Sequence, residues 1–334
     1  MVEIGYTLSS EEFPPNDLVR FAAIAEDHGF TFATISDHYH PWVTSQGQSP
    51  FAWATLGGVA RATDRLRVGT AVTCPIMRIH PAIIAQAAAT VADMFEGRFF
   101  LGLGAGEQLN EHVTGEPWPQ PMVRQEMLRE AIEIIRELWT GEEVNHFGDY
   151  FTVDEARLFT LPAQPPEIYV AASGPQAAEL AAENDGLITT SPSKELVEAF
   201  EAAGGAGKAR LGQLTICYDE SEARAKEIAH RTWPISGLTG NFQWEIKTVE
   251  QFDEMVKMVT PEMVAKSIVC GPDPGKVHDQ LQQFADAKFT HVVIHNVGPN
   301  QEQFMEWAAR EILPQFQQQP QAAGIGTQER QLGR

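Results

Sequence analysis

Cysteine is scarce in this 334-residue chain: Cys74, Cys217 and Cys270 stand far apart, with no C-x-x-C among them. That pattern offers neither a disulfide framework nor a structural zinc site, and it suits a reducing compartment. Positive charge is also in short supply, with 24 Lys and Arg against 45 Asp and Glu for a formal net charge of −21. Such a field repels polyanions, so nucleic acid is not expected as a partner. No apolar run approaches the ~20 residues that a membrane-spanning helix needs, so no membrane partner is expected either. The first residues, Met1 to Tyr6, show no basic region followed by an apolar stretch, and a cytoplasmic location is the expectation.

What is present is core material. Apolar residues make up 43% of the chain, with 18 Phe and 7 Trp, enough to fill one large α/β barrel of the kind that takes ~250 residues plus insertions. Short β-branched or apolar runs recur, each followed by a longer segment of helical period, which predicts a parallel sheet with crossover helices. The predicted strands are Glu3 to Thr7, Thr31 to Ser36, Leu66 to Val72, Phe99 to Leu103, Ile168 to Ala172, Leu187 to Thr190, Leu214 to Tyr218 and His291 to His295. Eight strands predict a single closed (β/α)8 TIM barrel over residues 1–316. Asn16 is expected to cap a helix from Asp17 to His28 whose buried stripe is Leu18, Phe21, Ala22 and Ala25, and Pro81 suits the first turn of a helix reaching about Phe95.

Two stretches exceed minimal connections and are taken as insertions over the C-terminal mouth: 141–166, with a hairpin turning at Gly148-Asp149, and 234–274. The Gln- and Gly-rich segment 317–334 is expected to be a disordered tail.

In such barrels, function sits on the loops after the carboxyl ends of the strands. After strand two, Ser36-Asp37-His38-Tyr39-His40-Pro41-Trp42 gathers a carboxylate, two imidazoles, a phenol and an indole; the plainer alternative is a turn-capping Asp37 and a packing Trp42. After strand four, Gly102-Leu103-Gly104-Ala105-Gly106-Glu107-Gln108-Leu109-Asn110-Glu111 is a weak match to a dinucleotide fingerprint, because it lies late in the chain. Its glycines, Gly106 among them, more plausibly let something flat approach the backbone, with Glu107 and Asn110 aimed into the mouth. Strand three ends in Val72-Thr73-Cys74-Pro75, and Ala171-Ala172-Ser173-Gly174-Pro175-Gln176 opens a helix with free backbone N–H groups, an anion site in waiting.

In their order along the chain, Ser36-Asp37-His38, Val72-Thr73-Cys74-Pro75, Gly104 to Glu111, and Ala171 to Pro175 followed by Asp185-Gly186 resemble the luciferase-like oxidoreductases that use coenzyme F420. Within them the likeness is to the branch of F420-dependent glucose-6-phosphate dehydrogenase, and it runs from Ile4 to about Phe316. The resemblance implies a homodimeric barrel holding a deazaflavin at its carboxyl end, with a non-prolyl cis peptide at Ala71-Val72 backing the ring. It implies cofactor contacts from Asp37, Ala71, Val72, Cys74, Ala105, Gly106, Asn110, Ser173, Gly174 and Ala177. It also implies catalytic roles: His38 as the base for the substrate hydroxyl, Glu107 as proton donor to the ring, and Trp42 as the wall of the substrate pocket. Imidazole ordinarily titrates near neutrality, which suits a base.

The substrate end departs from that branch, whose phosphate is held by two Lys and an Arg together with a Thr that matches Thr190. Here the first Lys falls at Ser193 with Lys194 beside it, the second falls at Gln243 with Lys247 four residues on, and the Arg falls at Ser267 next to Lys266. A dianion wants positioned cations, and Lys does not reproduce the Arg fork. The expectation is therefore an uncharged alcohol or sugar. A sugar 6-phosphate held by a rearranged set is the alternative, followed by an FMN-dependent monooxygenase of the same superfamily. A metal-dependent hydrolase using His38, His40, His291 and His295 is a further rival; stoichiometric zinc or manganese in the purified protein would favour it.

Overall fold

The computed structural model describes residues 2–240 and 242–316; the expected tail, 317–334, lies outside the described residues. The strands are β1 (Glu3–Leu8), β2 (Phe32–Ile35), β3 (Arg67–Thr70), β4 (Phe99–Leu103), a hairpin of β5 (Val144–Phe147) and β6 (Thr152–Ala156), then β7 (Glu167–Ala171), β8 (Gly186–Thr189), β9 (Ala209–Cys217), β10 (Val269–Cys270) and β11 (His291–Asn296). Parallel pairing runs β9-β11-β1-β2-β3-β4-β7-β8, and β8 pairs back to β9, closing an eight-stranded barrel. The short β10 adds to the free end of β9, pairing Cys270 with Cys217, and was not foreseen from its two residues.

Alternation along the strands fills the barrel from inside. Phe32, Phe100, Tyr169, Ile188, Leu211 and Val293 form one interior cluster, while Ile4, Tyr6, Leu8, Ala33 and Ile35 face the outer helices. The amino-terminal end is closed by Arg67, whose guanidinium lies 4.9 Å from the Phe100 ring centroid and donates to Tyr169 Oη at 3.0 Å and to Glu167. The core is therefore packed below, and space for chemistry is left at the carboxyl ends.

Several boundaries differ from the sequence-based expectation. Helix Pro15–Asp27 begins two residues early, with Pro14 rather than Asn16 at the cap position: Pro15 has the fixed φ that suits the first helical position and draws the start of the helix back to it. Its buried residues are Leu18, Phe21, Ala22 and Ala25, as the stripe predicts. Strand β3 stops at Thr70, the Ala71–Val72 peptide that follows is cis, and the pairing resumes only at the Thr73–Leu103 bridge. Strand β9 starts at Ala209; Arg210 and Gln213 interrupt the apolar pattern there and hide the beginning of the strand.

The hairpin β5–β6 packs beside the outer helix Pro121–Leu138, where Glu130 accepts the backbone N–H groups of Asp149, Tyr150 and Phe151, and Phe151 meets His80 edge-on. The segment 234–274 folds over the mouth loops instead. Thr44 N and Oγ1 both donate to Asp253, and Phe252, Ile235 and Trp244 pack with Trp42, Val43 and Leu109.

Strands β3 and β4 approach so closely that a Cβ on Gly102 would stand 1.9 Å from Thr70 O. Overpacking of this kind costs about 1–3 kcal/mol, so Gly102→Ala should lower the urea midpoint without changing the slope. A midpoint equal to that of the wild type would contradict the contact.

Candidate active site

Three loops meet at the mouth around buried ion pairs. Asp37 follows β2; its Oδ2 accepts from Thr73 Oγ1 at 2.7 Å and its Oδ1 from Arg78 Nη2 at 3.0 Å. Glu111, beyond β4, accepts from the backbone N of Arg78 at 2.8 Å and lies 3.5 Å from its Nε. All four side chains are nearly inaccessible, so these contacts operate at low dielectric. Both oxygens of Asp37 are thus engaged within the protein, and the residue fixes the loop that carries His38.

His38 lies between two supports. Its Nδ1 is 3.5 Å from Glu11 Oε1, and its ring meets Trp42 edge-on at 5.1 Å. Burial pushes the Glu11 carboxyl upward, but the His38 imidazole, the Ser36 hydroxyl at 2.7 Å and the backbone together hold it below the usual carboxylate range. Glu11 therefore presents a charge to the inner nitrogen of His38 and leaves Nε2 for a substrate. Trp42 is 8% exposed and packs edge-on against Phe252 and Trp244 of the overlying segment.

Opposite stands the glycine loop. Gly106 has a φ of +74°, and a Cβ there would lie 2.5 Å from Cys74 Sγ, so glycine is required on both counts. Burial pushes the Cys74 thiol well up, leaving a neutral packing group. Asn110 accepts from the backbone N of Tyr39 at 2.9 Å and of His40 at 3.1 Å, while its Nδ2 lies 3.5 Å from Glu107 Oε2. Asn110 thus joins the Glu107 loop to the His38 loop.

The floor divides by chemistry. On one side Ala71, Val72, Gly104, Ala105 and Ala171 leave a low surface of small groups, and a Cβ on Gly104 would press to 2.6 Å on Val72. On the other side Thr7 Oγ1, Thr34 Oγ1, His38 Nδ1 and both nitrogens of His295 are buried without a hydrogen-bond partner. Beside the floor, helix Pro175–Glu183 starts with no side-chain cap, and nothing lies within 4 Å of a Cβ built on Gly174; Ser173 is exposed there and Ala177 buried. Small groups for a flat ring, unpaired polar atoms beside it and open amides for an anionic tail fit a deazaflavin with a phosphorylated side chain.

Thr190 is exposed beyond β8, and Ser193 caps the helix Lys194–Phe200 by accepting from Leu196 N at 3.2 Å. Lys194 lies 3.8 Å from Glu198 on its own helix. Gln243 neighbours Trp244 on the overlying segment, Lys247 is exposed, and Ser267 is exposed before β10. The metal rival fares poorly. His40 Nδ1 faces Leu109 O at 3.0 Å, and His291 sits at the far end of β11 beside Glu3, about 13 Å along the strand from His295. Among the described residues no group of three or more His, Cys, Asp or Glu is arranged to hold a metal. Glu11, Arg78 and Glu111 were missed as site residues, and His295 was weighed only as a metal ligand, because their places depend on strand ends brought together only by barrel closure.

The family model described as "Luciferase-like monooxygenase" matches residues 1–291. The F420-dependent glucose-6-phosphate dehydrogenase of Amycolatopsis mediterranei is 36% identical over 330 residues, covering 95% of this chain and 99% of that protein. Its counterpart in Kribbella flavida is 36% identical over 327 residues, with 94% and 98% coverage. Among solved structures, an F420-dependent secondary alcohol dehydrogenase in complex with an F420-acetone adduct superposes with a TM-score of 0.86 at 31% identity, covering 93% of this chain and 98% of that one.

Burial pushes the Glu111 carboxyl up to about 7, with Glu107 and Asp37 adding to the rise against the pull of Arg78. The folded chain then binds this proton more tightly than the unfolded chain, so stability falls as pH rises from the ordinary carboxyl range toward 7. Glu111→Gln should flatten the loss of unfolding free energy between about pH 5 and about pH 7.5. Equal slopes in variant and wild type would contradict the assignment.

Proposed function

This chain belongs to the luciferase-like monooxygenase family, and from that membership together with its mouth geometry we infer that it is a coenzyme F420-dependent dehydrogenase oxidising the hydroxyl of an alcohol or sugar. The observation that carries the reading is His38, with Glu11 behind its inner nitrogen and Trp42 against its edge, facing a floor of small groups across the mouth. When bound, F420 supplies the carbon that accepts hydride from the alcohol carbon. His38 Nε2 takes the hydroxyl proton, and the charged Glu11 steadies the imidazolium that results. Glu107, tied to the His38 loop through Asn110, is the residue that would pass a proton to the ring. Ala71, Val72, Cys74, Ala105, Gly106, Ser173, Gly174 and Ala177 line the ring and tail positions, and Asp37 acts by fixing the loop.

Charge around the mouth favours an uncharged substrate. Arg78 is already paired with Asp37 and Glu111, Lys194 faces Glu198, and the nearby carboxylates Glu11, Glu12 and Glu107 disfavour a phosphate. The names of the curated relatives support the other reading, a sugar 6-phosphate held through Lys194 or Lys247. A cytoplasmic location without nucleic-acid partners belongs to the same proposal, supported by the three free cysteines and the acidic balance, whereas the homodimer follows from the family resemblance alone; no helix among the described residues is long and apolar enough to cross a membrane.

Titration should give saturable binding of F420 and none of FMN, and alkanols, glucose and glucose 6-phosphate should be screened by bleaching of the deazaflavin absorbance. His38→Ala should lose about 10²–10⁴ in kcat with F420 affinity retained, the range expected for a general base. An unchanged rate would end the assignment. Glu107→Gln should slow the chemical step while leaving substrate KM near the wild-type value.

A further inference from the structure

We propose that His295 is a second substrate-contacting residue and that the substrate is an uncharged polyhydroxy compound, a polyol or sugar, rather than a monofunctional alkanol. The proposal rests on the dehydrogenase reading above and narrows it. His295 follows Val293 by two residues on β11, and Val293 belongs to the interior cluster, so the imidazole points into the barrel one layer nearer the mouth. It is 2% exposed, and neither ring nitrogen has a hydrogen-bond partner. An imidazole so placed has one donor and one acceptor to satisfy; only Nε2 has a charged neighbour, and Nδ1 has none.

The surroundings repeat those of His38. Glu12 Oε1 stands 3.5 Å from His295 Nε2, as Glu11 Oε1 does from His38 Nδ1, and Ser9 Oγ reaches both carboxylates, Glu11 at 3.1 Å and Glu12 at 3.3 Å. The other oxygen of Glu12 is fixed by Gly298 N at 2.7 Å. Consecutive carboxylates beyond β1 thus support two imidazoles, one from the loop after β2 and one from β11, the strands flanking β1 on either side. Two strand spacings of about 4.8 Å separate β2 from β11, so the two imidazoles address different oxygens of one substrate rather than the same hydroxyl. Trp233 meets His295 edge-on at 4.5 Å, and with Trp42 it offers apolar faces of the kind that pack on the C–H surface of a sugar. A lone hydroxyl would satisfy His38 and leave His295 unpaired; a second hydroxyl satisfies both.

The direct test is a crystal of the cofactor-free protein soaked in glucose, together with turnover of glucose and of butan-2-ol by wild type, His295→Phe and His295→Gln. A sugar oxygen should lie within about 3.2 Å of a His295 ring nitrogen. The ratio of kcat/KM for glucose over butan-2-ol should fall about tenfold in His295→Phe, mainly through KM, and recover in part in His295→Gln, which restores a donor and an acceptor. A sugar bound out of reach of His295, no sugar bound, or the same ratio in all three proteins overturns the proposal. Should His295→Phe fail to fold, the Gln variant and the soak still decide. Failure of the dehydrogenase reading looks different: no alcohol bleaches F420, while the soak independently places or fails to place the sugar.

Discussion

The mouth of this barrel depends on one buried guanidinium. Arg78 ties Asp37 from the loop after β2 to Glu111 from the segment after β4, and does so from the turn that follows β3. Three adjacent strand ends are thereby held in fixed relation, with His38, the Ala71–Val72 edge and Glu107 carried on them. Breaking such a pair by removing one partner leaves uncompensated buried charge, at about 3–5 kcal/mol. The network therefore acts on chemistry through position: His38 follows Asp37 directly, and Glu107 lies one helical turn before Glu111.

A second constraint is the division of the floor. Gly102, Gly104 and Gly106 keep one side low, where a ring could lie, because side chains there would meet Thr70, Val72 and Cys74. The other side keeps hydroxyl and imidazole groups buried and unpaired. A site built this way separates a hydride-accepting face from a proton-accepting one, which is the demand that alcohol oxidation makes. The overlying segment 234–274 adds Trp244 and Phe252 to the apolar wall around Trp42.

Much of the fold was legible in the sequence because barrel strands are short and apolar and their crossover helices carry strong periodicity. All eight barrel strands overlap their expected spans, and the hairpin turns at Gly148-Asp149 as the residues suggested. Strand β9 was cut short where Arg210 and Gln213 break the pattern, and the two-residue β10 has no periodicity to find. The loop residues Asp37, His38, Trp42, Glu107 and Asn110 were visible as clusters of polar and aromatic groups at strand ends. Glu11 and Glu12 were not, and His295 was read only as a possible metal ligand, since each gains its place only when closure of β11 against β1 sets it beside its partner. Nor does a sequence tell that Arg78 reaches back across two loops.

The central claim is that a deazaflavin lies on the low side of the mouth with His38 facing it. The structure of the protein crystallised with F420 tests this most directly. The account predicts the ring against Ala71 and Val72, Glu107 within hydrogen-bond reach of the ring, and His38 Nε2 open toward the face where an alcohol would sit. A ring bound elsewhere in the mouth, or bound with neither Glu107 nor His38 in reach, would contradict it.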